Sequence, residues 1–88
     1  MEIAFDEVAE NDLLFWKKSG NKAIQNKIQE LIQSIVATPF SGIGKPEALK
    51  YNLTGKWSRR INSQHRIIYE VLEDKQIIKI HSLKGHYH

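Results

Sequence analysis

Ile24, Ile28, Leu31, Ile32 and Ile35 recur at the three-to-four spacing of one helical face, while Lys22, Gln25, Gln29 and Gln33 fall largely opposite. The pattern predicts a helix from about Asn21 to Ala37. Thr38-Pro39 stops it, because the proline ring disfavours helical geometry at the preceding residue. An earlier helix is expected over Glu7–Ser19, with Asp6 as its cap, acids in its first turn, Lys17 and Lys18 in its last, and Gly20 free to turn left-handed beyond it. Val8, Phe15 and Trp16 are read as its apolar side. Residues 1–5 suggest a short strand. Later, runs at 57–62, 65–72 and 77–83 read as strands separated by Asn62-Ser63-Gln64 and Glu73-Asp74-Lys75 turns, giving an antiparallel meander. Two short helices linked by a tight turn need a sheet to cover their apolar faces. The expected architecture is α+β: two N-terminal helices packed on an antiparallel β-sheet, in one domain over residues 1–88 without repeats or linkers.

Alternation along the strands sharpens this picture. Trp57 and Ile61 fall on one face, and Ser58, Arg60 and Asn62 on the other. Arg59 then shares the apolar side, or lies where that side frays. Arg66 opens the next strand a turn away from Arg60, so the two guanidinium groups can converge on one anion. Trp57 is read as core. Between the helices and the meander, residues 40–50 carry Gly42, Gly44 and Pro46 in a surface loop of the kind that presents reactive groups.

Charge singles out the same region. The formal net charge is +3 with a pI near 9.3, yet the first 15 residues hold five of the ten acids and no Lys or Arg. Residues 44–66 hold Lys45, Lys50, Lys56, Arg59, Arg60, His65 and Arg66 against Glu47 alone. A basic surface suited to a phosphate-bearing or acidic partner is expected there. The 88 residues include no cysteine, which excludes thiol nucleophiles, thiolate zinc sites and disulfides. His65, His81, His86 and His88 lack a metal-ligand spacing, so neither a metal nor another cofactor is expected. Gly42-Ile43-Gly44-Lys45 lacks the Ser or Thr and the glycine spacing of a phosphate-binding loop; its glycines are read as shaping the turn that aims Glu47. With no long apolar run and no secretory signal at the start, a cytoplasmic protein without membrane contact is expected.

These residue types suffice for metal-independent cleavage of RNA. Glu47 can accept a proton from a 2′-OH, Arg66 offers a planar fork matching phosphate oxygens, and Arg60, Arg59, Lys50 and Lys45 add positive contacts. Imidazole titrates near pH 6.5, so His86 can protonate a leaving oxygen, and Tyr87 can stack on a base.

At these residues the chain resembles the Txe/YoeB family of bacterial toxins within the RelE-like ribonuclease superfamily. The likeness rests on Thr38-Pro39-Phe40, GKPEALKYNLTG at 44–55, WSRRI at 57–61, HRIIY at 65–69 and the final His86-Tyr87. It implies a RelE-like fold and a ribosome-dependent endoribonuclease that cuts mRNA by 2′-OH attack on the adjacent phosphate. By the same likeness Glu47 is the general base, Arg66 the phosphate-stabilising arginine, His86 the general acid and Tyr87 the terminal active-site tyrosine, with Lys50 and Arg60 in support. The implied partners are a YefM/Phd-type antitoxin, the ribosome with its mRNA, and operator DNA only through the antitoxin; a homodimer is left open. The alternative is a noncatalytic RNA- or protein-binding module, such as a gyrase-directed relative of the superfamily.

Overall fold

The computed structural model describes residues 1–85, in the order β1 (Glu2–Phe5), α1 (Glu7–Ser19), α2 (Lys22–Ala37), β2 (Glu47–Ala48), a short 3-10 turn (Tyr51–Leu53), β3 (Lys56–Arg60), β4 (Arg66–Leu72) and β5 (Ile77–Ser82). Both helices begin at side-chain caps. Asp6 Oδ1 accepts from Ala9 N at 3.0 Å and Asn21 Oδ1 from Ile24 N at 3.1 Å, each satisfying an amide that a first helical turn leaves unpaired. Gly20 ends α1 at φ 71°, a left-handed conformation that costs glycine little.

Helix α2 buries Ile24, Ile28, Leu31 and Ile35, as its periodicity predicts. Helix α1 differs from its reading. Its buried residues are Ala9, Asp12 and Trp16, whereas Val8 and Phe15 are exposed. Adjacent helical positions diverge by about 100°, so Phe15 and Trp16 cannot both point inward. Trp16 takes the interior because its indole N–H donates to Leu83 O at 2.9 Å, a bond phenylalanine cannot make.

The sheet runs β1-β5-β4-β3-β2. Strands β3, β4 and β5 form the expected antiparallel meander, but β1 joins β5 in parallel, so the five-stranded sheet is mixed. A parallel pairing needs a long crossover, and both helices with three further strands lie between β1 and β5 in the chain. One face of the sheet meets the helices: Ile61, Ile67, Tyr69, Ile78, Ile80 and Leu83 cluster with Ala9, Trp16, Ile24, Ile28, Leu31 and Ile35. Because neighbouring strand residues point to opposite faces, Ser58, Arg60, Arg66, Ile68 and Glu70 belong to the other side.

A bulge in β5 leaves His81 without a cross-strand partner, since Ser82 opposes Ile68 and Ile80 opposes Tyr69. Its ring lies between two carboxylates, with Nδ1 2.9 Å from Asp6 Oδ2 and Nε2 3.1 Å from Glu70 Oε1. The α1 cap, β4 and β5 are thereby tied together.

Candidate active site

Arg60 and Arg66 stand directly opposite each other across the β3–β4 ladder. Glu47 stands opposite Ser58 across β2–β3, two residues from Arg60 on the same face. Diagonal neighbours of this kind lie roughly 7–8 Å apart, within reach of long side chains. Glu47 and Arg60 are exposed and Arg66 is half-buried. Among the described residues the ion pairs within 4.0 Å are those of His81 with Asp6 and Glu70, so neither arginine is neutralised by Glu70 or Glu73. Lys45 and Lys50 are exposed on either side of Glu47. Glu70 of the same face is taken up by His81, which leaves Glu47 as a carboxylate outside any ion pair beside two arginines that have no carboxylate within 4.0 Å among the described residues.

Glu47 was expected in a loop and lies instead on a two-residue edge strand. Its position is set by backbone bonds on both sides: Arg60 N donates to Gly44 O at 2.6 Å, and Leu49 N to Lys56 O at 2.9 Å. Gly44 has to be glycine. At φ +81° a Cβ would sit 2.6 Å from Leu31 Cδ2 and 3.2 Å from Arg60 O. The turn is thus pressed between α2 and β3, and its exit aims at β2.

Arg59, expected among the phosphate contacts, is fully buried and performs a different task. Its Nε donates to Tyr69 OH at 3.2 Å, Nη1 to Ser34 Oγ at 2.7 Å and Ile43 O at 3.1 Å, and Nη2 to Thr38 O at 2.6 Å and Ser41 O at 2.8 Å. All five guanidinium N–H groups are used. Four of the five acceptors belong to the end of α2 and the loop after it, the fifth being Tyr69 on β4, so Arg59 replaces missing loop secondary structure with its own hydrogen bonds. A group so enclosed cannot touch RNA.

Tyr69 completes this anchor by donating to Pro39 O at 2.6 Å. Burial holds its phenol above the ordinary value of 10.0, with the hydrogen bond and charge of Arg59 opposing part of that rise. The unfolded chain therefore gives up this proton first as pH rises. Stability from Tyr69 is complete below about pH 10 and is lost as pH climbs from there through the folded value. Urea midpoints measured from pH 8 to 11 should fall at the alkaline end, with a shallower fall in Tyr69→Phe. Equal alkaline slopes in the two proteins would contradict this.

A second set of bonds holds the last described residues beside Arg66. Leu83 N donates to buried Asp12 Oδ2 at 2.9 Å while Leu83 O accepts from Trp16. Gly85 N donates to His65 Nδ1 at 2.9 Å, and Gly85 O accepts from Arg66 N at 2.8 Å. His65 packs edge-on against Trp16, with ring centroids 4.9 Å apart. The bond from Gly85 N makes Nδ1 an acceptor and so leaves the His65 proton on Nε2 in the neutral ring. His86 and Tyr87, the expected acid and terminal tyrosine, lie outside the described residues, as does His88. The residue that precedes them is bonded to the Arg66 backbone.

The clasp of Asp12, Trp16 and His65 escaped the sequence reading, since nothing local marks partners 71, 67 and 20 positions from their targets. Tyr51 escaped it too. Its ring is 90% exposed and its φ is +59°, although a tyrosine wedged between Lys50 and Asn52 in a loop is a visible signal.

Two helices on one face of a mixed five-stranded sheet, with a basic opposite face, define the RelE-like toxin fold. The chain superposes on a YoeB/ParE toxin from Agrobacterium tumefaciens with a TM-score of 0.93 at 36% identity, over 99% of this chain and 100% of that one. It also superposes on Staphylococcus aureus YoeB in a heterotetrameric YoeB–YefM toxin–antitoxin complex, with a TM-score of 0.87 at 44% identity, over 99% and 98%. Staphylococcus aureus YoeB has in addition been solved as a dimer, similar at 0.87 and 45% identity, again over 99% and 98%. Toxin YoeB of Synechocystis sp. is 47% identical over 87 residues, 99% of this chain and 98% of the relative. The model of the YoeB-like toxins matches residues 5–87, and the chain belongs to this family of toxins of bacterial type II toxin–antitoxin systems.

Proposed function

We propose that this toxin is a metal-independent endoribonuclease that cuts mRNA on the ribosome. The observation that carries the reading is the face of Glu47, Arg60 and Arg66: a carboxylate beside two register-paired guanidinium groups that lack a carboxylate partner among the described residues. Opposed like charges in a ladder are unfavourable alone and become favourable around a shared anion. Glu47 takes the proton of a 2′-OH, whose oxygen then bonds to the adjacent phosphorus. Arg66 and Arg60 bind the phosphate oxygens as negative charge builds on them, with Lys45 and Lys50 steering the backbone into place. The bond from phosphorus to the 5′ oxygen breaks, and His86 supplies the proton that this oxygen takes up. Tyr87 packs beside the reacting nucleotide. The products are a 2′,3′-cyclic phosphate and a free 5′-OH.

Ribosome dependence follows from size. A small domain with few groups that read bases binds ribosomal RNA through phosphates and receives the mRNA already held in a cleavable geometry. The antitoxin proposed for this chain is of the YefM/Phd type, as in the Staphylococcus aureus complex. A disordered acidic segment folding onto the basic face would neutralise Arg60 and Arg66 while burying apolar surface. Operator DNA is reached through that antitoxin, self-association follows the Staphylococcus aureus dimer, and the site of action is the cytoplasm.

Primer extension on mRNA from programmed ribosomes tests the reading. The wild-type toxin should produce discrete cuts with cyclic-phosphate ends, and His86→Gln should produce at least 100-fold fewer at equal protein. Growth arrest without cuts would refute the nuclease and point to a noncatalytic target such as gyrase.

A further inference from the structure

Residues 47–53 fold around a small cleft lined by Glu47, Ala48, Leu49, Lys50, Tyr51, Asn52 and Leu53. Its volume, about 190 Å³, is below the roughly 300–1,000 Å³ of sites that enclose a small ligand, so it is a shallow seat rather than a binding cavity. The proposed base therefore shares a concavity with an aromatic ring and an amide. Tyr51 is the odd member. A tyrosine at φ +59° occupies a left-handed conformation that is unfavourable for a residue with a Cβ. Burial does not offset that cost, because the ring is 90% exposed. The backbone is nevertheless held: Tyr51 O accepts from Thr54 Oγ1 at 2.7 Å and Thr54 N at 3.1 Å, and Leu53 N donates to Lys50 O at 3.1 Å. A strained, fixed backbone thus displays a ring that contributes almost nothing to packing.

Such a ring has a use if something flat arrives beside Lys50. Resting on the reading of this face as an RNA-cleaving site, we infer that Tyr51 is the stacking platform for an unpaired nucleobase next to the scissile phosphate. Lys50 meets the backbone of the same nucleotide, and the Asn52 amide lies where a base edge can pair with it. Stacking on an aromatic ring tolerates any base, so Tyr51 contributes affinity and alignment while the ribosome supplies sequence context. The fixed turn also explains the ring's exposure: a platform has to be free until the strand arrives and rigid when it does.

Two readouts on the full-length toxin separate this idea from the nuclease reading it rests on. On programmed ribosomes, Tyr51→Ala should raise KM for mRNA cleavage about tenfold with kcat changed less than threefold, while Tyr51→Phe and Tyr51→Trp retain wild-type KM. In a Glu47→Gln background that spares the RNA, an oligoribonucleotide carrying 2-aminopurine should be quenched by Tyr51 and by Tyr51→Phe, and not by Tyr51→Ala. Far-UV circular dichroism and urea midpoints of the three variants should match the parent, since the ring is outside the core. Cleavage by Tyr51→Ala with unchanged KM, or quenching that persists without the ring, overturns the platform and leaves the nuclease standing. Quenching that requires the ring in a toxin that cuts nothing supports the platform and removes the nuclease.

Discussion

Arg59→Met should lower folding stability by about 3–5 kcal/mol, the range for leaving buried polar partners of a charged group unmatched. Methionine refills the stem's space but offers no donor. Tyr69 OH, Ser34 Oγ and the carbonyls of Thr38, Ser41 and Ile43 would each lose a bond they receive from the guanidinium. Three of these acceptors are main-chain oxygens, which no compensating substitution can remove. Water can reach some of them, because Thr38, Ser41 and Ile43 are exposed residues, and that relief sets the lower end of the range. A small domain has only about 5–15 kcal/mol in total, so the variant should be substantially unfolded at growth temperature. Arg59→Lys should recover less than half of the loss, since three donors on one nitrogen cannot span acceptors placed for a planar fork. Urea titration is the measurement. A midpoint for Arg59→Met equivalent to within about 0.5 kcal/mol of wild type would show that the loop is held by something other than this side chain.

The Arg59 result also shows where pattern and composition compete in reading this chain. Strand alternation put Arg59 on the apolar face, while its place in a run of basic residues grouped it with the phosphate contacts; alternation was the better guide because a strand's pleat leaves no choice of face. Arg60 and Arg66 were legible for a related reason, since the short turn at 62–64 brings the two strand ends opposite each other. Helix α2 was legible throughout because four of its five apolar periodic positions are buried and the fifth, Ile32, packs partly against the core. Other features have no local signature. A two-residue strand such as β2 is too short for any period, and the four residues of β1 carry no mark of which strand they pair with or in which direction. The bonds that hold Leu83 and Gly85 beside Arg66 join α1, the start of β4 and the chain's end, and exist only after the sheet has assembled.

Arg66→Ala should reduce kcat for ribosome-bound mRNA by about 10²–10³-fold, the usual consequence of removing one fixed donor from charge that grows in the transition state. KM should change far less, because Lys45, Lys50 and Arg60 remain exposed to hold the backbone. Arg66→Lys should stay impaired at least tenfold, as a single ammonium cannot grip two phosphate oxygens in the plane the fork matches. The folded protein should respond in the opposite sense. Arg66 faces Arg60 directly, and like charges so placed are unfavourable by roughly 0.2–1 kcal/mol, so the alanine variant should unfold at an equal or higher temperature, by up to about 4–8 °C per kcal/mol relieved. Added salt should narrow that difference by screening the pair. A residue kept for packing would lose activity and stability together; one that tolerates repulsion in order to meet an anion loses activity alone. Single-turnover cleavage and thermal unfolding of the same preparations decide between them, and a clear drop in both would reassign Arg66 from the reacting phosphate to the scaffold.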